Sequence, residues 1–420
     1  MFSPKSLDYV LGFIPYKQRT ILSSISDDFQ CMLEHGHHLK GGIIENINKD
    51  EFNEIFKPDD FKCFWYLSGL KTNWIHEKLK ILENLNNFTS MVLDLRNNNL
   101  GPDGMRYLQG MTSISCLNLN LMNNNLGPDG LRYLQGMTSI SSLVLYLCRN
   151  NLGPDGLRHL QGLTSLTSLE LDLSYNNLGS NGLKYLQGLT SLTRLELNLY
   201  KNNIGPDELR YLQGPTSLTS LTLALNYNNL GPDGLQHLQG LTSLTSLKLY
   251  LYGNKLGPNG LQYLQGMTSL TTLTLTIFNN IGPNCLQYLQ GLPSLTSLKL
   301  NLYGNKLGPD SLKYLQGLIS LTSLNLNLNG SNLGPDSLQY LQGLTSLTSL
   351  ELNLSDNNLG PDSLKYLQGL TSLTSLELDL YVYLRPDSLK YLQGLTSLTS
   401  LNISSYNHNC NLEQFKQLKF

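Results

Sequence analysis

The 420-residue chain is 40% hydrophobic but only 14% charged, with a net charge of −2, so Asn, Ser, Thr, Gln and Tyr supply most of its polarity. That balance lacks the electrostatic footprint of nucleic-acid binding and offers no polybasic anchor for a membrane surface. No apolar stretch approaches the length of a membrane span, and the expected partner is neither a nucleic acid nor a membrane.

At the N-terminus, Met1 to Tyr16 holds one lysine and a short apolar run broken by Asp8, Gly12 and Pro15. This is a poor signal peptide, so cytoplasmic residence is expected, in the organism's own cell or a host's, with the nucleus possible. Residues 1–40 predict a small helical segment. Val10 and Leu11 form an apolar pair, Ile14-Pro15 marks a step, and Leu22, Ile25, Phe29 and Leu33 line a following helix. The segment resembles an F-box. That resemblance implies a three-helix unit in which Leu11, Ile14 and Pro15 contact a Skp-type adaptor, the link to a cullin ubiquitin ligase. The plainer reading is a helical cap. Residues 41–72 are taken as a linker and N-terminal cap. His35, His37 and His38 lack Cys or acidic partners at ligand spacing, so they predict a solvated loop and no metal site. The six cysteines lie far apart with no CxxC pair, which points to reduced thiols, and no cofactor is implied.

From residue 73 to 412 the chain is one repeated unit. Units open at Gly101, Gly127, Gly153, Gly179, Gly205, Gly231, Gly257, Gly282, Gly308, Gly334, Gly360 and Arg385. The spacing is 26 residues, shortened to 25 just before Gly282 and Arg385. In the unit Gly153–Leu178, Leu169, Leu171 and Leu173 alternate with Glu170 and Asp172, the pattern of a half-buried strand. Pro154-Asp155 opens a helix, Leu157 and Leu160 face inward, and Gly162 ends it after about two turns. An Asn precedes the last leucine of nearly every unit (Asn98, Asn124, Asn150, Asn176 and their successors, with Ser331 and Val382 as exceptions). It is placed to satisfy backbone groups of adjacent coils. A degenerate first unit, with Leu79, Leu82, Leu85, Phe88 and Met91 in register, begins near Asn73, and 413–420 form a C-terminal cap.

The run from Leu171 to Gly179, LDLSYNNLG, resembles the leucine-rich-repeat family. The segment GPDGLRHLQGLTSL, residues 153–166, is similar to its ribonuclease-inhibitor-like and GALA-like classes. The resemblance implies an α/β solenoid, or horseshoe, of about thirteen strands with helices outside and strands on the concave side, behind a small helical N-terminal domain. Such a scaffold is not an enzyme, and no Ser, His and Asp stand in a fixed relation that would argue otherwise.

Function is then sought where units differ although the scaffold does not require it. The outward strand positions and the two residues after each strand carry Tyr200, Tyr227, Tyr250, Tyr252, Phe278 and Tyr303. Lys201, Lys248 and Lys299 join them, and acids flank them on either side (Glu170, Asp172 and Glu196; Glu351, Asp356, Glu377 and Asp379). Exposed aromatics mixed with charge suit a protein-binding hot spot, against the bland alternative of drift on a solvated face. The tyrosine column of the connecting segments, such as Tyr133 and Tyr340, is taken as packing. The expected function is a protein-interaction scaffold binding a partner on the concave face. With the F-box resemblance it becomes the substrate receptor of a Skp–cullin–F-box ligase. The alternative is a ligase-independent scaffold, inhibitor or host-directed effector.

Overall fold

Alternation of leucine with polar residues produces one five-residue strand per repeat. The computed structural model describes residues 62–66, 79, 89–278, 281–381, 384–385, 387–406 and 409–417, which belong to two units, 1–176 and 177–420. The first holds β1 (Lys62–Tyr66), β2 (Ser90–Asp94), β3 (Cys116–Asn120), β4 (Ser142–Tyr146) and β5 (Ser168–Asp172), each parallel to the next. The second holds β6 (Arg194–Asn198), β7 (Ser220–Ala224), β8 (Ser246–Tyr250), β9 (Thr272–Thr276), β10 (Ser297–Asn301), β11 (Ser323–Asn327), β12 (Ser349–Asn353), β13 (Ser375–Asp379) and β14 (Ser400–Ser404). These too pair in parallel, in chain order. The thirteen strands β2 to β14 are the ones the repeat predicts.

Register is strict because the side-chain period of a strand is two, so a one-residue slip would turn every leucine to solvent. Leu119 stands opposite Leu145, and Leu300 opposite Leu326. In the reference unit Leu157, Leu160, Leu163, Leu166, Leu169, Leu171, Leu173 and Leu178 are all buried. Full burial of a leucine is worth about 1.5–3 kcal/mol, so the core is a continuous leucine column within each unit.

The expected two-turn α-helices are corrected to 3-10 helices of three to seven residues, from Arg158–Leu160 to Cys285–Gly291. Two features shorten them. A Cβ at Gly156 would lie 2.5 Å from the Leu152 Cβ, so the chain enters its turn pressed against the preceding leucine. Strands repeat every 4.8 Å or so while packed α-helices need 8–10 Å, and a tighter 3-10 turn reduces that mismatch. Later units place Ser where Gly156 stands. The Ser337 hydroxyl donates to the Pro309 carbonyl at 2.7 Å, and that of Ser388 donates to Pro361 at 2.7 Å, tying each unit to the one before. Glu208 takes the same position in its unit. Its buried carboxylate accepts the backbone N–H groups of Asn181 and Leu183.

The asparagine ladder forms as expected. Asn176 is fully buried, and its amide donates to the carbonyls of Leu147 (2.8 Å) and Leu173 (2.9 Å). Its side-chain oxygen accepts from the N–H of Asn150 (2.9 Å) and of Leu152 (3.3 Å). Ser331 fills the place less well, reaching Leu302 O at 3.5 Å. Asn279 and Val382 lie outside the described residues, as do 1–40 with Leu11, Ile14 and Pro15.

Both ends carry strands that the repeat does not announce. β1 falls within the presumed linker and pairs with β2, Lys62 opposite Ser90. At the other end β15 (Asn409–Asn411) runs antiparallel along β14, covering an edge that would otherwise invite pairing. It leads into the helix α1 (Leu412–Gln417), entered by a reciprocal cap: Gln414 N–H donates to Asn411 Oδ1 and Asn411 N–H to Gln414 Oε1, both at 3.0 Å. Among the described residues no helix is long and apolar enough to cross a membrane.

The thiols differ sharply in setting. Cys285 is buried, and desolvation pushes its pKa up to about 12, whereas Cys116 is exposed. Because the thiolate is the nucleophile, iodoacetamide at pH 8 should alkylate Cys116 in the native protein and spare Cys285 until denaturation. Peptide mapping by mass spectrometry checks this, and equal labelling of both would contradict the burial.

Candidate functional site

In the second unit the parallel register turns equivalent positions into rows. The third residue of each strand gives Glu196, Thr222, Lys248, Thr274, Lys299, Asn325, Glu351, Glu377 and Asn402, side by side on the face away from the leucines. Lys248 and Lys299 are exposed and form no ion pair among the described residues. On the same face the fifth position places Tyr250 between Ala224 and Thr276, small neighbours that leave its half-buried ring room.

Just beyond the strands the aromatics meet. Tyr200 and Tyr227 lie 5.4 Å apart between ring centroids, Tyr227 and Tyr252 4.8 Å, Tyr252 and Phe278 5.4 Å, and Phe278 and Tyr303 6.0 Å. Three of the four contacts are edge-to-face and the Tyr252–Phe278 pair is tilted at 59°. Such pairs contribute about 0.5–1.5 kcal/mol each beyond area burial. Lys201 sets its ammonium 5.4 Å from the Tyr200 centroid and 5.3 Å from that of Tyr227, within cation–π range. The row thus brings together Tyr200, Lys201, Tyr227, Tyr252, Phe278 and Tyr303. Tyr250, Lys248 and Lys299 belong to the adjoining strand rows.

One member is out of step in sequence, and the backbone explains how it joins. Tyr227 stands two residues after its strand leucine Leu225, whereas Tyr200 and Tyr252 stand one after Leu199 and Leu251. Its φ of +54° is left-handed, a conformation that costs a non-glycine residue about 1–2 kcal/mol. The equivalent position in the next unit is Gly253 (φ +75°), where an added Cβ would meet Tyr227 Cδ1 at 3.0 Å. The ring therefore leans over a bare glycine, and the Tyr227 N–H donates to Tyr252 O at 2.6 Å. Tyr227 and Tyr303 nevertheless keep 43% and 49% of their surface exposed.

The connecting-segment tyrosines behave as packing residues. The Tyr133 hydroxyl donates to Asp103 (2.7 Å), Tyr340 to Asp310 (2.9 Å) and Tyr211 to Asn181 (2.7 Å), in each case the acid or amide opening the preceding unit. Two exposed clusters escape the sequence reading. Tyr381 and Tyr406 stack edge to face at 5.6 Å, and Arg149 lies 4.9 Å from the Tyr175 ring centroid. Their position just after a strand is the signal that could have found them. Among the described residues no group of three His, Cys, Asp or Glu side chains could hold a metal.

A family model described as Leucine Rich repeat matches residues 91–108, 115–134, 164–186 and 345–367, segments that coincide with the strand and 3-10 pieces above. These four segments match leucine-rich repeats. Among solved structures, an internalin (inlF) from Listeria monocytogenes is similar over 94% of this chain and 94% of its own, with 20% identity and a TM-score of 0.56. Mouse RP105, in its complex with MD-1, is similar over 82% of this chain and 59% of its own, with 18% identity and a TM-score of 0.51. At these identities the likeness is one of fold. No curated protein sequence matches.

Proposed function

We propose that the strand face of the second unit binds a protein, with the row Tyr200–Tyr227–Tyr252–Phe278–Tyr303 as its centre. The observation that carries this is the row itself: five aromatic side chains in continuous contact, held in part by an unfavourable backbone at Tyr227, still presenting exposed ring surface. Rigid aromatics give large contact area at low entropic cost and dominate binding energy at interfaces. A fold neighbour, RP105, stands in a complex with MD-1, which supports a scaffold reading by analogy of fold. The triple change Tyr252→Ala, Phe278→Ala and Tyr303→Ala should weaken partner binding by roughly 2–4 kcal/mol, on the scale of hot-spot losses. Tyr340→Ala should leave binding unchanged. Quantitative cross-linking and mass spectrometry of wild type and variants in the native cell extract would measure it, and loss of partners only in the Tyr340 variant would reverse the assignment.

The finer reading makes this scaffold a substrate receptor of a Skp–cullin–F-box ligase, resting on the F-box-like pattern of residues 1–40. Changing Leu11 and Pro15 to alanine should then abolish co-purification of a Skp-type adaptor while partner binding at the aromatic row persists. If the unaltered protein brings down no such adaptor, the ligase-independent scaffold is the function that stands. The ribonuclease-inhibitor-like class belongs to the same finer reading.

A further inference from the structure

The aromatic row adjoins a zone of one charge. Between Glu196 and Glu351 the outward strand positions carry Lys248 and Lys299 and no acid. Lys201 adds a third cation at the row. The Asp residues of this stretch (Asp207, Asp233, Asp310 and Asp336) open the connecting segments instead, and Asp233, Asp310 and Asp336 hold tyrosine hydroxyls there. Lys248 and Lys299 lie on one row with Thr274 between them. Two strand steps separate them, about 9.6 Å at ordinary strand spacing.

That separation selects a ligand conformation. An extended strand repeats on one face at about 6.7 Å and then 13.4 Å, so neither interval fits two lysines so spaced. A polyproline-II helix has three residues per turn and rises about 3.1 Å per residue, returning to the same face every 9.3 Å. Aromatic-lined surfaces favour this conformation, because its order is already present in the free peptide. Glu351 and Glu377 on one side repel a longer acidic run, while on the other Glu196 is paired with Arg194 at 3.2 Å.

Resting on the protein-binding reading above, we infer that the partner presents a short acidic segment in the polyproline-II conformation, with carboxylates three residues apart on Lys248 and Lys299. Its apolar flank lies toward Tyr250 and Tyr252.

Fluorescence anisotropy with labelled synthetic peptides tests this on the full chain. The probe is Pro-Pro-Glu-Pro-Pro-Glu-Pro-Pro, and its isomer Pro-Pro-Glu-Glu-Pro-Pro-Pro-Pro has the same charge and composition. The spaced peptide should bind roughly tenfold or more tightly than the isomer, since two charge-assisted contacts form instead of one. Lys248→Gln and Lys299→Gln should each erase that preference, and Lys390→Gln, on a connecting segment, should not. Added salt should weaken binding of the spaced peptide. Equal affinity for the two isomers, no binding of the spaced peptide, or tighter binding of an acidic α-helical peptide with glutamates seven residues apart would each overturn the inference. If the peptide fails while the triple aromatic variant still loses its cross-linked partner, the binding face stands and only its ligand chemistry falls. If the triple variant keeps that partner, the face falls as well.

Discussion

Asn176→Ala should lower the stability of the first unit by about 3–5 kcal/mol, since each buried polar group left unpaired costs about 1–3 kcal/mol. The fully buried amide serves at least four backbone groups of two adjacent coils: the carbonyls of Leu147 and Leu173 and the N–H groups of Asn150 and Leu152. Their losses overlap, so the sum is less than four separate penalties. Thr164→Ala, at an exposed position of the same repeat, should stay within about 0.5 kcal/mol of wild type. The ladder also predicts a gain. At Ser331 the short hydroxyl only just reaches Leu302 O at 3.5 Å, and the Asn305 N–H turns back to that same carbonyl at 3.2 Å. Ser331→Asn should restore the missing rung and raise stability by about 1 kcal/mol, the net worth of a typical hydrogen bond. Urea denaturation followed by circular dichroism orders the three variants, and a destabilised Ser331→Asn would mean that the site cannot admit the longer side chain.

Removing whole units tests the array at a larger scale. Deleting Gly308–Leu333 joins Leu307 to Gly334, each at its ordinary place in the repeat, so the neighbours β10 and β12 meet in the register that β11 has with both. Since a repeat contacts chiefly its neighbours, the shortened chain should fold, with a cooperative melt and a proportionately smaller strand signal. Ser311 and Ser331 leave with the unit, while the aromatic row ending at Tyr303 remains. Deleting only Gly308–Ser320 brings together two half-units and displaces the following leucines from their columns. That chain should not fold, showing no cooperative melt and binding a hydrophobic dye. Comparable melts of the two deletion variants would refute the single period.

How much of this could be known in advance follows from what each feature depends on. Strand positions, the inward leucines and the asparagine ladder were legible because a repeat of 26 residues presents the same local pattern over and over. Leu169 and Leu171 need only alternation to be placed in a core, and β2 to β14 stand where that alternation puts them. The connectors were misjudged because Pro154-Asp155 and Gly162 are the same helix signals in a 3-10 turn and in two turns of α-helix. The choice lies in the contact of Gly156 with Leu152 and in the fit of stacked connectors to closely spaced strands. β1 and β15 depart from the repeat, so no periodicity marked them.

The candidate face divides in the same way. Variation between units picked out Tyr200, Tyr227, Tyr250, Tyr252, Phe278 and Tyr303 on or just after a strand. Whether they touch is a matter of distance between coils, which one unit's sequence does not contain. Tyr227 enters the row only because its left-handed backbone and the bare Gly253 of the next unit let its ring cross the intervening space. Tyr250, equally aromatic in the sequence, stays outside it on the strand. The sequence by itself determined a repetitive leucine-rich core and which positions are free to vary, because local periodicity decides what is buried. Only the tertiary structure decided which of those free side chains form one surface, because that depends on register and backbone conformation between neighbouring units.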